Sequence, residues 1–154
     1  MANTTEGTPT KLPKGSGPKP QKPGPDEKVR KCTGADLQNG WYGRHGQLYL
    51  TDDRLAFFPT ILDTALGGHR HEASLDEITK VERIPHSVED FLPAGKRARM
   101  LIHTPRCVYA WMVPDLDAWI DAIEIVYRLR VNAGRPHVPE IVREGVENIL
   151  LAEE

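Results

Sequence analysis

The residues of this 154-residue chain best suited to chemistry are a histidine-rich run, one cysteine near a histidine, and two pairs of carboxylates. If His69-Arg70-His71-Glu72 is extended, His69 and His71 share a face and would begin a metal site. Zinc normally takes three or four protein ligands, and His45, His86 and His103 lie far away in sequence. A solvated strand edge is the favoured reading of the run, and no metal is expected. Cys107 faces His103 across a predicted turn, which suggests a thiol–base pair. Nucleophilic catalysis would also need an orienting group and an oxyanion site, and neither is signalled. Asp52-Asp53 and Glu89-Asp90 fall in turn-like stretches, where acidic residues are common for local hydrogen-bonding reasons. No catalytic residue and no cofactor is therefore expected, and function has to be sought in binding.

The elements that would position these residues are mostly strands. Val29 to Leu37 reads as a strand, and Gly34, Asn39, Gly40 and Gly43 then punctuate a loop from Thr33 to His45 that carries Trp41 and Tyr42. Gln47 to Thr51 alternates apolar and polar residues, Asp52-Asp53 turns the chain, and Leu55 to Phe58 returns before Pro59. Thr60 to Gly68 is a loop with an apolar centre, His69 to Ser74 a strand, Leu75 to Ile78 one helical turn or a tight bend, and Lys80 to Ile84 a strand. His86 to Gly95 is a polar loop around Phe91 and Leu92. Arg97 to Thr104 and Cys107 to Val113 form a hairpin turned by Pro105-Arg106. Asp115 caps a helix whose apolar residues Leu116, Trp119, Ile120, Ile123 and Tyr127 recur at three-and-four spacing, ended by Gly134 and Pro136. Arg128, Arg130 and Arg135 lie toward the end that the helix dipole makes attractive to cations. A second helix is predicted from Pro139 to about Leu151. About seven strands followed by helices make the fold class α+β, mainly β, with segregated rather than alternating units.

Composition bounds the rest. Residues 1–26 hold six of the 13 prolines and almost no large apolar side chain. Residues 1–27 are therefore expected to be a disordered Pro/Gly/Lys-rich tail, ahead of a domain at 28–134 and an added C-terminal helix at 135–154. The net charge of −2 divides into +2 over residues 1–28 and −4 over the remainder, unlike the basic footprint of a nucleic-acid binder. The sequence has no apolar run long enough to span a membrane, and its polar N-terminal residues lack the apolar stretch expected of a secretory leader. Two cysteines, Cys32 and Cys107, make no disulfide framework. The expected location is the cytoplasm, or the inner face of the membrane as a peripheral protein.

Several pieces of the chain, in order, resemble a known family. They are Gly46-Gln47-Leu48-Tyr49-Leu50-Thr51, Arg54-Leu55-Ala56-Phe57-Phe58-Pro59, Ser74-Leu75-Asp76-Glu77-Ile78, Val81-Glu82-Arg83, Leu101-Ile102-His103-Thr104 and the aromatic strand ending at Val113. Together they resemble the GRAM domains of the pleckstrin-homology-like (PH-like) superfamily, of the small single-domain bacterial type, from about Lys28 to Leu129. That resemblance implies a barrel of about seven antiparallel strands in two near-orthogonal sheets, with a helix carrying Trp119 closing one end. It also implies binding rather than catalysis, since family ligands include phosphoinositides, other anionic lipids, sterols and proteins.

Two candidate binding regions follow. A phosphate reader needs several charge-assisted donors together, and Arg30, Lys31, Arg44 and His45 supply only a thin cluster. An apolar tip of Ile61, Leu62 and Leu66 with His69, Arg70 and His71 as a basic collar would suit an anionic membrane, with the imidazoles strengthening contact near pH 6. Ile141, Val142, Val146, Ile149 and Leu150 would form an apolar stripe on the last helix. Such a stripe would fold back onto the barrel, or else pair with a second copy or bind a protein partner. The leading expectation is a non-enzymatic protein-binding or scaffolding module, with anionic lipid as the alternative and an uncharacterised enzyme a distant third.

Overall fold

Alternation of apolar and polar side chains builds the first half of the sheet. The computed structural model describes residues 19–39, 42–85 and 98–143. In it β1 (Val29–Asn39), β2 (Tyr42–Thr51), β3 (Arg54–Pro59) and β4 (His71–Ser74) form an antiparallel meander. Leu48 and Leu50 on β2 are fully buried, while Gln47 faces solvent. The Asp52-Asp53 turn is closed by Thr51, whose hydroxyl accepts hydrogen bonds from the backbone N–H groups of Asp53 and Arg54, each at 3.1 Å. Between β3 and β4 the chain makes a short helix, α1 (Ile61–Ala65).

The second half repeats the pattern. β5 (Lys80–Ile84), β6 (Arg99–His103) and β7 (Val108–Met112) are antiparallel, and β7 joins β1 through Asp36–Met112 and Leu37–Trp111. Thr104 shapes the β6–β7 turn by donating to the Cys107 carbonyl at 2.9 Å and accepting from the Cys107 and Arg106 N–H groups. Asp115 sits in the left-handed region (φ 52°), which a short aspartate tolerates. It caps α2 (Leu116–Asn132) by accepting from Ala118 N. Gly134, with φ 88°, ends the helix where a side chain would be strained.

Among the described residues all eight strands, including β8 (Glu140–Val142), belong to one open sheet in the order β4-β3-β2-β1-β7-β6-β5-β8. The two separate near-orthogonal sheets expected from the sequence are thus a single hydrogen-bonded sheet. That sheet is strongly curled. Four strand spacings separate β4 from β7, ~19 Å in a flat sheet. Yet the rings of His71 and Tyr109 lie 5.5 Å apart, and those of Phe57 and Trp111 6.3 Å apart. The two halves bend toward each other around a shared core, and α2 contributes Leu116, Trp119, Ile120, Ile123, Val126 and Tyr127 to it.

Four local expectations are corrected. Thr33–His45 is not a loop: β1 and β2 pair continuously from Lys31–Leu50 to Asn39–Tyr42, because a strand partner satisfies the backbone that glycines alone seemed to interrupt. A strand begins at His71 and not at His69, and Thr60–Gly68 contains the helix α1. The helix from Pro139 does not start there. Residues Glu140–Val142 are β8, parallel to β5, with Ile141 beside Val81. Ile141 and Val142 are β-branched, and the free edge of β5 offers backbone partners that a helix would forgo. Val146, Ile149 and Leu150 lie outside the described residues, as do residues 1–18, Trp41, His86, Glu89, Asp90, Phe91 and Leu92.

Candidate interaction site

The most unusual surface is the corner built around α1. Thr60 caps the helix by accepting from Asp63 N at 3.2 Å. Asp63, the one buried residue of α1, turns its carboxylate inward and accepts from the backbone N–H of His45 at 2.9 Å. Arg44 reaches from β2 to both ends of the turn, with its guanidinium 3.6 Å from the Asp63 carboxylate and donating to the Leu66 carbonyl at 3.0 Å. Thr60 N donates to the His45 carbonyl, and Gly68 N to the Asp63 carbonyl at 2.7 Å. Gly68 has no room for a side chain, since a Cβ would lie 2.8 Å from that carbonyl oxygen.

This polar frame fixes the helix so that its apolar side chains face outward. Ile61 is 90% exposed, Leu62 70% and Leu66 61%. Covering such side chains is worth about 2 kcal/mol each, so the arrangement leaves a large favourable term unused in the isolated chain. Exposed apolar side chains close together in the chain make this corner a candidate for an interaction site.

Beside the tip lies a cleft of about 260 Å³, lined by Gly34 and Asp36 of β1, His45, Thr60, Met112 and Pro114. Asp36 and His45 face each other across the β1–β2 ladder, and the Asp36 carboxylate holds His45 Nδ1 in a close hydrogen bond.

The basic residues singled out in the sequence do not form one cluster. Arg30 is bound to Asp52 at 2.6 Å, and the Lys31 ammonium lies over the Trp119 ring. Both sit at the β2–β3 turn end of the strands, whereas α1 follows Pro59, opposite Gly46. Four residues of extended chain separate Leu50 from Gly46, ~13 Å. Arg44 is a clamp within the α1 frame. His69 is exposed, and Arg70 stacks over Phe58 and donates to the Pro20 carbonyl at 3.1 Å.

His71 is not part of a collar. It is buried against Tyr109, and burial, with His69 nearby, pushes its pKa down to about 4. It therefore cannot serve as a sensor near pH 6. His103 Nε2 pairs with Glu82 at 3.1 Å, while Cys107 is buried beside the Thr104 hydroxyl, so the two make no thiol–base pair. Ile141 packs against the core and Val142 takes the alternate face of β8.

Sequence reasoning found the apolar residues of α1 but missed Asp63 and the Asp36–His45 pair. The spacing of Thr60 and Asp63, a cap residue followed three positions later by an acid, was the available signal.

No family model and no curated protein matches this chain. Among solved structures it is similar to the hSac2 domain from human phosphoinositide phosphatase Sac2, with 14% identity, a TM-score of 0.53 and coverage of 80% of each chain. It is also similar to the C-terminal domain of an unknown protein from Leishmania infantum, with 15% identity and a TM-score of 0.49 over 65% of this chain and 84% of that one. At such identity the Sac2 likeness concerns the fold alone.

Proposed function

We propose that this chain is a non-enzymatic interaction module of PH-like type, whose curled sheet serves as a scaffold and whose α1 corner docks a protein partner. The observation that carries the reading is the exposure of Ile61, Leu62 and Leu66 on a helix held by Thr60, Asp63 and Arg44. A core-forming loop would turn such side chains inward. Here the buried position belongs to the aspartate, which is the reverse of what stability alone favours. The PH-like barrel is supported by the antiparallel meander, the strong curl of the sheet and the helix α2 against its concave face.

A second reading, attachment to an anionic membrane through the same tip, is favoured by His69 and Arg70 next to it. One comparison separates the two. Wild type and the double variant Ile61→Glu/Leu62→Glu are tested for affinity capture from the source cells and for co-sedimentation with anionic vesicles. The proposal expects a defined set of proteins retained by wild type and lost with the variant, with no vesicle binding. Identical captured sets for both proteins would overturn it, and variant-sensitive vesicle binding would transfer the site to the membrane.

A further inference from the structure

The helix α2 carries two apolar stripes, and the core uses only one of them. Trp119, Ile120, Ile123 and Val126 belong to the stripe that faces the sheet. Ala118, Ala122, Ile125 and Leu129 make a second stripe along one flank. Steps of four, three and four residues are the heptad spacing of a helix that packs against another helix. Ile125 is 50% exposed and Leu129 42%, while Ala118 and Ala122 are half-buried. With 3.6 residues per turn, the second stripe lies roughly 130° around the helix from the middle of the buried one. A body placed on it is therefore clear of the sheet. The other described helix, α1, rests on β2 and β3 and does not cover it.

The border of this stripe is charged in a definite order. Asp121 and Arg128 lie one heptad apart, each directly before an apolar member of the stripe. Asp121 is exposed and meets Arg143 at 2.8 Å through one of its two oxygens. Among the described residues, Arg128 is the one arginine with no hydrogen bond, ion pair or ring contact inside the chain. The helix dipole favours a cation near that end, but it gives no reason for an apolar stripe beside it. On the opposite border stand Trp119 and Val126, which are already buried.

We propose that the flank of α2 pairs with the same flank of a second copy of this chain, antiparallel and about a two-fold axis. Such an axis at the middle of the stripe sets Ala118 against the second copy's Leu129, and Ala122 against its Ile125. Every large side chain then meets a small one, and the alanines let the backbones approach. The same operation brings Asp121 beside the second copy's Arg128, once at each end. A parallel pair would instead turn the Asp121–Arg128 border toward the buried Trp119–Val126 border and leave both charges without a partner. Apolar spacing and charge order thus agree on one occupant and one direction. The patch is narrow, below about 1,200 Å² of total buried surface, so the dimer is a weak one with a Kd on the order of 100 µM. This pairing does not rest on the role given to α1.

Sedimentation equilibrium of the full chain tests it. Between about 10 µM and about 1 mM the wild-type mass is expected to climb from 17.3 kDa toward twice that value. Leu129→Glu and Ile125→Glu should each hold the chain at the monomer mass with unchanged circular dichroism, since both side chains are half in water. Arg128→Asp and Asp121→Arg should each weaken self-association about tenfold by placing like charges together. An equimolar mixture of those two variants should recover the wild-type affinity, because the mixed pair restores both ion pairs.

A wild type still at the monomer mass near the top concentration would overturn the proposal. So would a dimer that survives both Leu129→Glu and Ile125→Glu, or a mixture of the charge variants no tighter than its components. Loss of the dimer with Ile61→Glu/Leu62→Glu, while Leu129→Glu leaves it intact, would move the contact between copies to α1. A monomeric wild type in which Leu129→Glu shifts the amide resonances of residues 144–154 would give the stripe to the chain's own C-terminal segment and leave no place for a second copy.

Discussion

The two ends of the β2–β3 hairpin carry polar networks of similar size and opposite purpose. At the turn end, Arg130 is buried between α2 and the sheet, donating to the Asp52 carbonyl at 2.7 Å and pairing with Asp76. Arg135 joins Asp53 and Asp76, and Arg30 holds the Asp52 carboxyl below its usual range. Tyr127 adds a hydrogen bond to the Leu75 carbonyl at 2.6 Å. These bonds seat α2 on the core. At the other end, Asp63, Arg44 and Thr60 seat α1 with its apolar face turned away from the core. One network helps to bury apolar surface and the other helps to display it. For α2 the buried apolar stripe supplies the driving force and the charged groups secure its seat, whereas for α1 the polar contacts are what hold the helix to the sheet.

The contrast can be broken most severely at the buried end. Trp119→Ala removes a fully buried ring and its hydrogen bond to the Thr33 hydroxyl, and is expected to cost about 4 kcal/mol in denaturant unfolding. Arg130→Met keeps the side-chain volume and loses the bonds to Asp52 and Asp76, with about 2 kcal/mol expected in the same measurement. If Arg130→Met proves neutral, the turn-end network contributes nothing to the seating of α2.

The pH dependence comes from His71. In the unfolded chain it protonates near 6.5, and in the fold only near 4. Between those values the unfolded state binds more protons, so stability falls as pH falls through that window. About 2 kcal/mol should be lost from pH 7 to pH 5, and His71→Phe should flatten that slope. A slope unchanged in His71→Phe would assign the acid sensitivity to other groups.

Smaller effects are expected at the α1 end. Asp63→Ala leaves the His45 N–H and the Arg44 guanidinium without that partner, for about 1.5 kcal/mol of stability and faster amide exchange at His45. Ile61→Glu/Leu62→Glu should change stability by no more than about 0.5 kcal/mol, because both side chains already face water. A large loss there would mean that α1 packs inward in solution and would end its comparison with α2.

Much of the fold was legible in local pattern. The β2–β3 hairpin, the β6–β7 hairpin, the cap at Asp115 and the stop at Gly134 each lie within a few residues of the signals that specify them. Glycine-rich Thr33–His45 misled because turn chemistry was read where a long strand pairing prevails. Glu140–Val142 misled because a short apolar run fits a helix or a strand, and only the open edge of β5 chooses between them. The basic collar failed because alternation along β4 turns His71 into the core, a consequence of register and not of residue type.

Residue type and spacing by themselves determined that this chain builds a mainly antiparallel sheet followed by an amphipathic helix, and that Ile61, Leu62 and Leu66 sit together. Those are short-range properties, set by backbone preference and apolar period. Tertiary structure alone decided which way they face. The Asp63 carboxylate meets the His45 N–H 18 residues away, Arg130 meets Asp76 54 residues away, and Trp119 meets Thr33 86 residues away. Contacts of that separation exist only after the sheet has curled, and no local pattern encodes them.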